Sequence, residues 1–248
     1  MGDKSVPEAL RSYIERADKA GTPEDLFREF DSYVRSFGIE VSSYHILAEH
    51  LRAVPVEIGL VRENFPDDWT ETYLKRHYAD IDPVINQARF EAEPFHWFDI
   101  EDKVKLSREQ RFFLKEMKQV GLTDGIAVPI FGPMGTMAYF GLGRTNGTLD
   151  LSHEDQLELQ FACQTTHNHY LDLTAEHHNG DPPPSLSARE TEILNLVALG
   201  LSNAAIAERL GITDNTVDTI LRRAFKKLGV TNRITAVLKG VGAGLIVP

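Results

Sequence analysis

The 248-residue sequence is poor in the residues that build several common functional classes. It has one cysteine, Cys163, so an internal disulfide, a CxxC redox pair and a cysteine-rich zinc site are excluded. No apolar run approaches the ~20 residues that a membrane-spanning helix needs, and no membrane partner is expected. Met1 to Leu10 is charged, broken by Pro7 and without the apolar stretch of a secretory signal, so the cytoplasm is the expected location. A GxxxxGK[ST] phosphate loop and a GxSxG nucleophile turn are both missing. Cys163 lies in a helical pattern without a paired histidine, so nothing marks an enzyme. His167, His169, His177 and His178 do not place three ligands on one helix face, and neither a metal nor a cofactor is expected.

Hydrophobic residues make up 42% of the chain and charged residues 25%, which excludes disorder, collagen and coiled-coil arrays. The net charge of −11 also argues against a nucleic-acid partner, until the charges are placed along the chain. Ser185 to Pro248 carries 8 Lys+Arg against 5 Asp+Glu, net +3, whereas the preceding residues carry 18 against 32, net −14. Electrostatically the chain is two proteins. The boundary is Ala175 to Ser185, AEHHNGDPPPS, whose three consecutive prolines cannot continue a helix or serve as sheet donors. The expected organisation is a domain over 1–174, a linker over 175–185 and a second domain over 186–248.

The first segment starts helically, with Thr22-Pro23 as N-cap and N1 and Gly38 as a stop. Ile39 to Leu47, Val56 to Val61, Ile126 to Phe131 and Met137 to Leu142 have strand length and texture, with Gly132-Pro133-Met134-Gly135 as a turn. Asp67 to Tyr78, Ser107 to Val120 and Ser152 to Leu173 read as helices. This order predicts an α+β fold, an α/β/α sandwich around a central antiparallel sheet.

The second segment reads as four helices. Ser187 opens a capping box with Glu190, and Ser202, Thr213 and Thr231 are the expected caps of the next three. The short helix from Asn203, the Gly211 turn and the long helix from Asp214 form a helix-turn-helix layout. Val217, Leu221, Ala224 and Leu228 share one stripe. Asn215, Thr219, Arg222 and Lys226 lie opposite, flanked by Thr216, Asp218, Arg223 and Lys227. Asn and Arg make bidentate contacts to base edges, and Lys and Thr hold phosphates. These residues, with Asn203, are the candidate contacts to double-stranded DNA.

Residues 186–246 resemble the LuxR-type DNA-binding domain at Leu186, Arg189-Glu190, Glu192, Leu194, Gly200, Ile206-Ala207, Leu210, Ile212, Thr216-Val217, Lys227-Leu228, Val230, Asn232-Arg233 and Ala236-Val237. Ala205 and Ile220 replace the usual Glu and His.

Ahead of the linker, Trp69 and Tyr73 lie at i, i+4 on one helix face, near Asp82-Pro83 and Trp97. Aromatics around one acceptor suit a small, mostly apolar ligand with a polar head, although an aromatic core patch has the same composition. The stretch resembles the acyl-homoserine-lactone-binding domain of LuxR-type quorum-sensing receptors, extending to Gly121-Leu122, Gly125 and Pro129. The resemblance implies that the Trp69 indole N–H donates to the lactone carbonyl, that Asp82 accepts the ligand amide N–H, and that Tyr73 and Trp97 wall the head group. An ionised carboxylate only accepts, and its bond to an amide is charge-assisted. Phe65 and Gly141 stand where the family often has hydroxyls for the amide carbonyl, and Val84 and Ala127 replace frequently polar positions. A buried unpaired carbonyl costs ~1–3 kcal/mol, so the expected signalling ligand has no 3-oxo group. A regulator with a non-lactone or host-derived ligand, or with none, is the alternative. In the family the helix carrying Leu157, Phe161 and Gln164 or Thr165 pairs two subunits, which implies a homodimer on DNA.

Overall fold

The structure is a computed structural model that describes residues 7–48, 59–132, 136–176 and 185–247. The chain folds into two compact units. The first contains α1 (Glu8–Ala17), α2 (Pro23–Val34), β1 (Val41–Ala48), β2 (Gly59–Glu63), α3 (Asp67–Lys75), α4 (Pro83–Ala88), β3 (Phe95–His96), α5 (Ile100–Lys103), α6 (Arg108–Gln119), β4 (Leu122–Phe131), β5 (Met137–Thr145) and α7 (His153–Glu176). The strands form one sheet in the order β2-β1-β5-β4-β3, and every pair is antiparallel.

Strand alternation gives the sheet two different faces. Tyr44, Ile46, Ile126, Val128, Ala138, Phe140 and Leu142 bury one face against α1, α2 and α7, where Tyr13, Phe30 and Leu159 complete a core. The intervening positions Leu47, Ala127 and Tyr139 belong to a second core, shared with Trp69, Val84, Trp97 and Phe113 from the α3 to α6 side. The antiparallel sheet thus sits between helical layers, as the sequence patterning predicts.

Local chemistry sets the helix ends. The Thr22 side chain accepts from Asp25 N at 3.1 Å, with Pro23 at N1, and Gly38 closes the following turn at φ +80°. Ser107 and Gln110 form a complete capping box for α6. The helix α7 extends to Glu176, two residues into the expected linker. Residues 177–184, including the three prolines, His177 and His178, lie outside the described residues, as do 56–58 of the second expected strand and 133–135 of the hairpin turn.

The second unit comprises α8 (Ala188–Ala198), α9 (Asn203–Leu210), α10 (Asp214–Leu228) and α11 (Arg233–Gly242). Ser187 and Glu190 make a reciprocal capping box, while Ser202 and Thr213 accept from Ala205 N and Thr216 N. The cap of α11 is Asn232, one residue beyond the expected Thr231. Asn232 is extended at φ −143° and accepts from Thr235 N through its side chain. Val217, Leu221 and Leu228 of α10 pack with Ile193, Leu194, Ile206 and Ala236 in this unit's own core, and Ile220 joins its edge. Among the described residues no helix is long and apolar enough to cross a membrane.

Candidate ligand cavity and nucleic-acid interface

On the second face of the sheet lies a cavity with about 490 Å³ of space free of protein atoms, part of it open to solvent. Trp69, Thr70 and Tyr73 reach it from α3, Asp82 and Val84 from the start of α4, Phe113 and Met117 from α6, Ser43 and His45 from β1, Leu60 and Glu63 from β2, and Tyr139 from β5; Phe65 and Trp97 complete the lining. Trp69, Tyr73, Tyr78 and Phe113 form a mutual ring cluster with centroids 5.1–6.1 Å apart. Trp97 fits because β4 and β5 are bare beneath it. Gly125 and Gly143 are register partners, and a Cβ at Gly125 would stand 2.6 Å from the far edge of the indole.

Asp82 has two tasks. Its Oδ1 accepts from Val84 N at 2.8 Å and caps α4, and its Oδ2 accepts from the Tyr73 hydroxyl at 3.0 Å. Burial pushes the carboxyl up to about 6, against the pull of these hydrogen bonds. Burial, followed by the nearby Asp82 charge, also raises Tyr73 and Tyr139 well above the ordinary phenol value, so both phenols stay protonated donors. His45 is pushed down to about 4 by burial and is neutral at neutral pH. Two buried lining groups, Trp97 Nε1 and Thr70 Oγ1, have no hydrogen-bond partner among the described residues, and such groups cost free energy until something accepts from them.

The edge strand β2 is tied to the opposite core. Arg62 pairs with Asp31 of α2 and lies 5.0 Å from the Phe27 ring centroid. Asp31 also accepts from Ser42 Oγ at 2.9 Å. Leu60 and Glu63 are thereby fixed as cavity wall from behind.

In the second unit, Asn215, Thr216, Thr219, Arg222, Arg223, Lys226 and Lys227 of α10 are exposed, and Asn203 and Asp218 are half-buried. Not all of them are free. Lys227 pairs at 2.7 Å with Glu190, whose side chain is only 6% exposed, so it pins α10 to α8. Thr216 closes the N-terminal cap with Thr213. Arg222 is paired with Asp218 at 2.8 Å along the helix, and the Thr219 hydroxyl donates to Asn215 O.

Comparison with known proteins places the two units in a family. Residues 22–170 match the autoinducer binding domain family, and residues 184–239 match the luxR family of bacterial regulatory proteins. The chain belongs to the LuxR family of autoinducer-domain regulators. Transcriptional activator protein EchR of Dickeya chrysanthemi is 30% identical over 78% of this chain and 81% of its own length. Transcriptional activator protein AnoR of Acinetobacter nosocomialis is 27% identical over 90% and 92%. Escherichia coli SdiA has the same fold, with a TM-score of 0.70 at 23% identity over 96% of this chain and 98% of its own. This LuxR-family member is a transcription regulator and not an enzyme.

Six of the eight residues singled out as ligand contacts line the cavity of this LuxR-family chain: Phe65, Trp69, Tyr73, Asp82, Val84 and Trp97. Ala127 and Gly141 are not among the lining residues. They are register partners within the sheet, and the place of a Gly141 side chain is filled by the Tyr139 hydroxyl and Ser43 Oγ, 2.6 and 2.7 Å from an ideal Cβ. Sequence reasoning missed Ser43 and His45. Their only signal was that Ser43 and His45 lie two residues apart in a strand, and so on one face of it.

Proposed function

We propose that this LuxR-family regulator binds an N-acyl-homoserine lactone without a 3-oxo group in the cavity and recognises operator DNA as a homodimer. The observation that carries the ligand reading is the Asp82 carboxylate, buried beside Tyr73 in an aromatic cavity and suited to accept a ligand amide N–H. Trp69 would donate to the lactone carbonyl, and Trp97 would wall the head group. Tyr139 and Ser43 supply hydroxyls where Gly141 has none, whereas Phe65 and Val84 offer no polar side-chain atom to a 3-oxo oxygen. Residues 1–174 would be the sensing and dimerising domain, 175–185 the linker and 186–248 the reading domain, acting in the cytoplasm.

On α7, Leu157 and Phe161 are 43% and 54% exposed, one turn apart, and would pair two subunits together with Gln164 or Thr165. Ligand burial stabilises the sensing domain and its dimer, and two tethered reading domains then hold DNA at high effective concentration. Asn215, Thr219, Arg222, Arg223 and Lys226, with Asn203 and Asp218 beside them, would face the major groove. Thr216 and Lys227 stand at the border of that surface.

A second reading has a specific support: E. coli SdiA has been solved in complex with octanoyl-rac-glycerol, with a TM-score of 0.68 to this chain. A non-lactone acyl ligand would use the same acceptor and aromatic walls. Expression with and without a panel of acyl-homoserine lactones, mass spectrometry of what co-purifies and a gel shift separate the readings. A lactone retained by the native chain but lost from folded Asp82→Ala or Trp69→Phe supports the site; equal retention defeats it.

A further inference from the structure

Arg222, Arg223 and Lys226 make the outward face of α10 cationic, and Asp218 interrupts it. The other acid of this helix, Asp214, sits in the first turn, where a carboxylate complements the helix dipole. Asp218 lies beyond that turn and has no such reason to be there. Its Oδ2 pairs with Arg222 Nη2 at 2.8 Å along the helix. An exposed pair of this kind adds little to stability, whereas a carboxylate brought up to DNA repels the phosphates. The placement costs affinity for DNA in general, and that cost is offset only where the carboxylate meets a donor on a base edge.

The pairing occupies one guanidinium nitrogen and one carboxylate oxygen. Arg222 keeps further N–H donors for guanine O6 and N7, and Asp218 Oδ1 keeps its lone pairs. In the major groove guanine presents two acceptors, and thymine an acceptor and a methyl group, so both turn a carboxylate away. Adenine offers its N6 amino group beside the N7 acceptor, which again repels. Cytosine alone offers an amino group, N4, with no acceptor on the same base edge.

We propose that Asp218 is a base-selecting residue, which accepts from N4 of a cytosine in the base pair next to the guanine read by Arg222. This deepens the operator-binding reading and rests on it. Four residues of helix rise about 6 Å and base pairs stack about 3.4 Å apart, so two side chains leaning together across one turn reach adjacent base pairs. The selection works by exclusion as much as by attraction.

The test uses the full-length chain, produced with and without the lactone panel, in a selection from random-sequence duplex DNA, followed by gel shifts on single-base variants of the enriched site. Arg222→Ala identifies the guanine by losing preference for it. Replacing the neighbouring cytosine is expected to weaken native binding by about tenfold. Asp218→Ala brings that ratio to within about twofold and tightens binding to unrelated duplex. Asp218→Asn moves the preference to adenine, because an amide meets both N6 and N7. Thermal unfolding of each variant reports folding. A cytosine preference that survives either Asp218 substitution in a folded protein overturns the proposal, as does an Asp218→Ala protein that relaxes only the guanine, since Asp218 then merely steadies Arg222. An enriched native site without that cytosine also overturns it while leaving operator binding intact. If the native chain enriches no sequence, the operator reading fails as well.

Discussion

The Tyr73 hydroxyl donates to Asp82 Oδ2 at 3.0 Å while Oδ1 of the same carboxylate holds the first turn of α4 at 2.8 Å. One side chain thus closes a helix and faces the cavity. Asp82→Ala removes both functions together, whereas Asp82→Asn keeps an amide oxygen for the cap and removes only the charge.

That difference yields a prediction about stability and pH. Burial raises Asp82 from 3.8 to about 6, so between these values the folded chain holds a proton that the unfolded chain releases, and stability falls as pH rises. His45, lowered from 6.5 to about 4, acts in the opposite sense: the unfolded chain takes up a proton below 6.5, and stability falls as pH drops. The two contributions offset each other between pH 4 and 6. In Asp82→Asn only the histidine remains, so the unfolding free energy should climb by about 1.4 kcal/mol per pH unit relative to the native chain. Urea unfolding at pH 4.5, 5.5 and 7 would show parallel curves for the two proteins if this is wrong.

Ligand binding should titrate on the same group. A ligand amide N–H favours the ionised carboxylate, so affinity for an acyl-homoserine lactone should fall about tenfold per unit as pH drops below about 6. Calorimetry from pH 5 to 8 measures this. A flat profile would remove Asp82 as the acceptor.

Trp97 depends on two bare backbone positions. Gly143→Ala would place a methyl group inside the indole edge, and overpacking of this kind costs about 1–3 kcal/mol. The melting temperature should fall by several degrees, and Trp97 emission should shift as the ring is displaced. At Gly21 nothing lies within 4 Å of an added Cβ, so Gly21→Ala is the control and should leave both readings alone.

Two cations of α10 should separate stability from DNA affinity. Lys227 neutralises the nearly buried Glu190, so Lys227→Ala should destabilise the C-terminal unit by about 1–2 kcal/mol. Arg222 is 78% exposed and, among the described residues, paired only along its own helix, so Arg222→Ala should leave melting unchanged and weaken operator binding. Gel shifts and calorimetry on both variants check the contrast, and an equal loss of stability in both would contradict it.

The α7 face gives a fifth expectation. Phe161→Glu places a charge on an exposed apolar position, and should convert a dimer to a monomer by sedimentation velocity while weakening the gel shift. A dimer that persists would move the pairing surface elsewhere.

Much of this architecture can be read from local chemistry. Thr22-Pro23, Ser107 with Gln110 and Ser187 with Glu190 are caps whose donors and acceptors lie within three residues of each other, so spacing alone identifies them. The two-sided stripe of α10 is equally local. Trp69 and Asp82 were legible by resemblance. Tyr139 was different, because its role depends on strand register: only once Ser43 is paired with Gly141 does the phenol have an empty place to lean into. Asn232 displaced Thr231 as a cap because neighbouring polar residues compete for the same backbone donor, and the extended backbone at Asn232 decides. The commitment of Lys227 to Glu190 was also hidden, since 37 residues separate the partners.

The alternation of the sheet has a consequence for how such a receptor can change. Along the middle of β1, β4 and β5 apolar neighbours belong to opposite cores, as Ile46 and Leu47, Ile126 and Ala127, and Ala138 and Tyr139 do. Mutational tolerance should therefore oscillate with a period of two in the middle of these strands: Tyr44, Ile46, Ile126, Val128, Ala138, Phe140 and Leu142 resist replacement because they pack with α1, α2 and α7, while Ser43, His45 and Tyr139 on the cavity face are free to drift, the glycines beneath Trp97 excepted. A lineage could acquire a new chemical signal by substituting every second residue of three strands, without disturbing the half of the domain that transmits it.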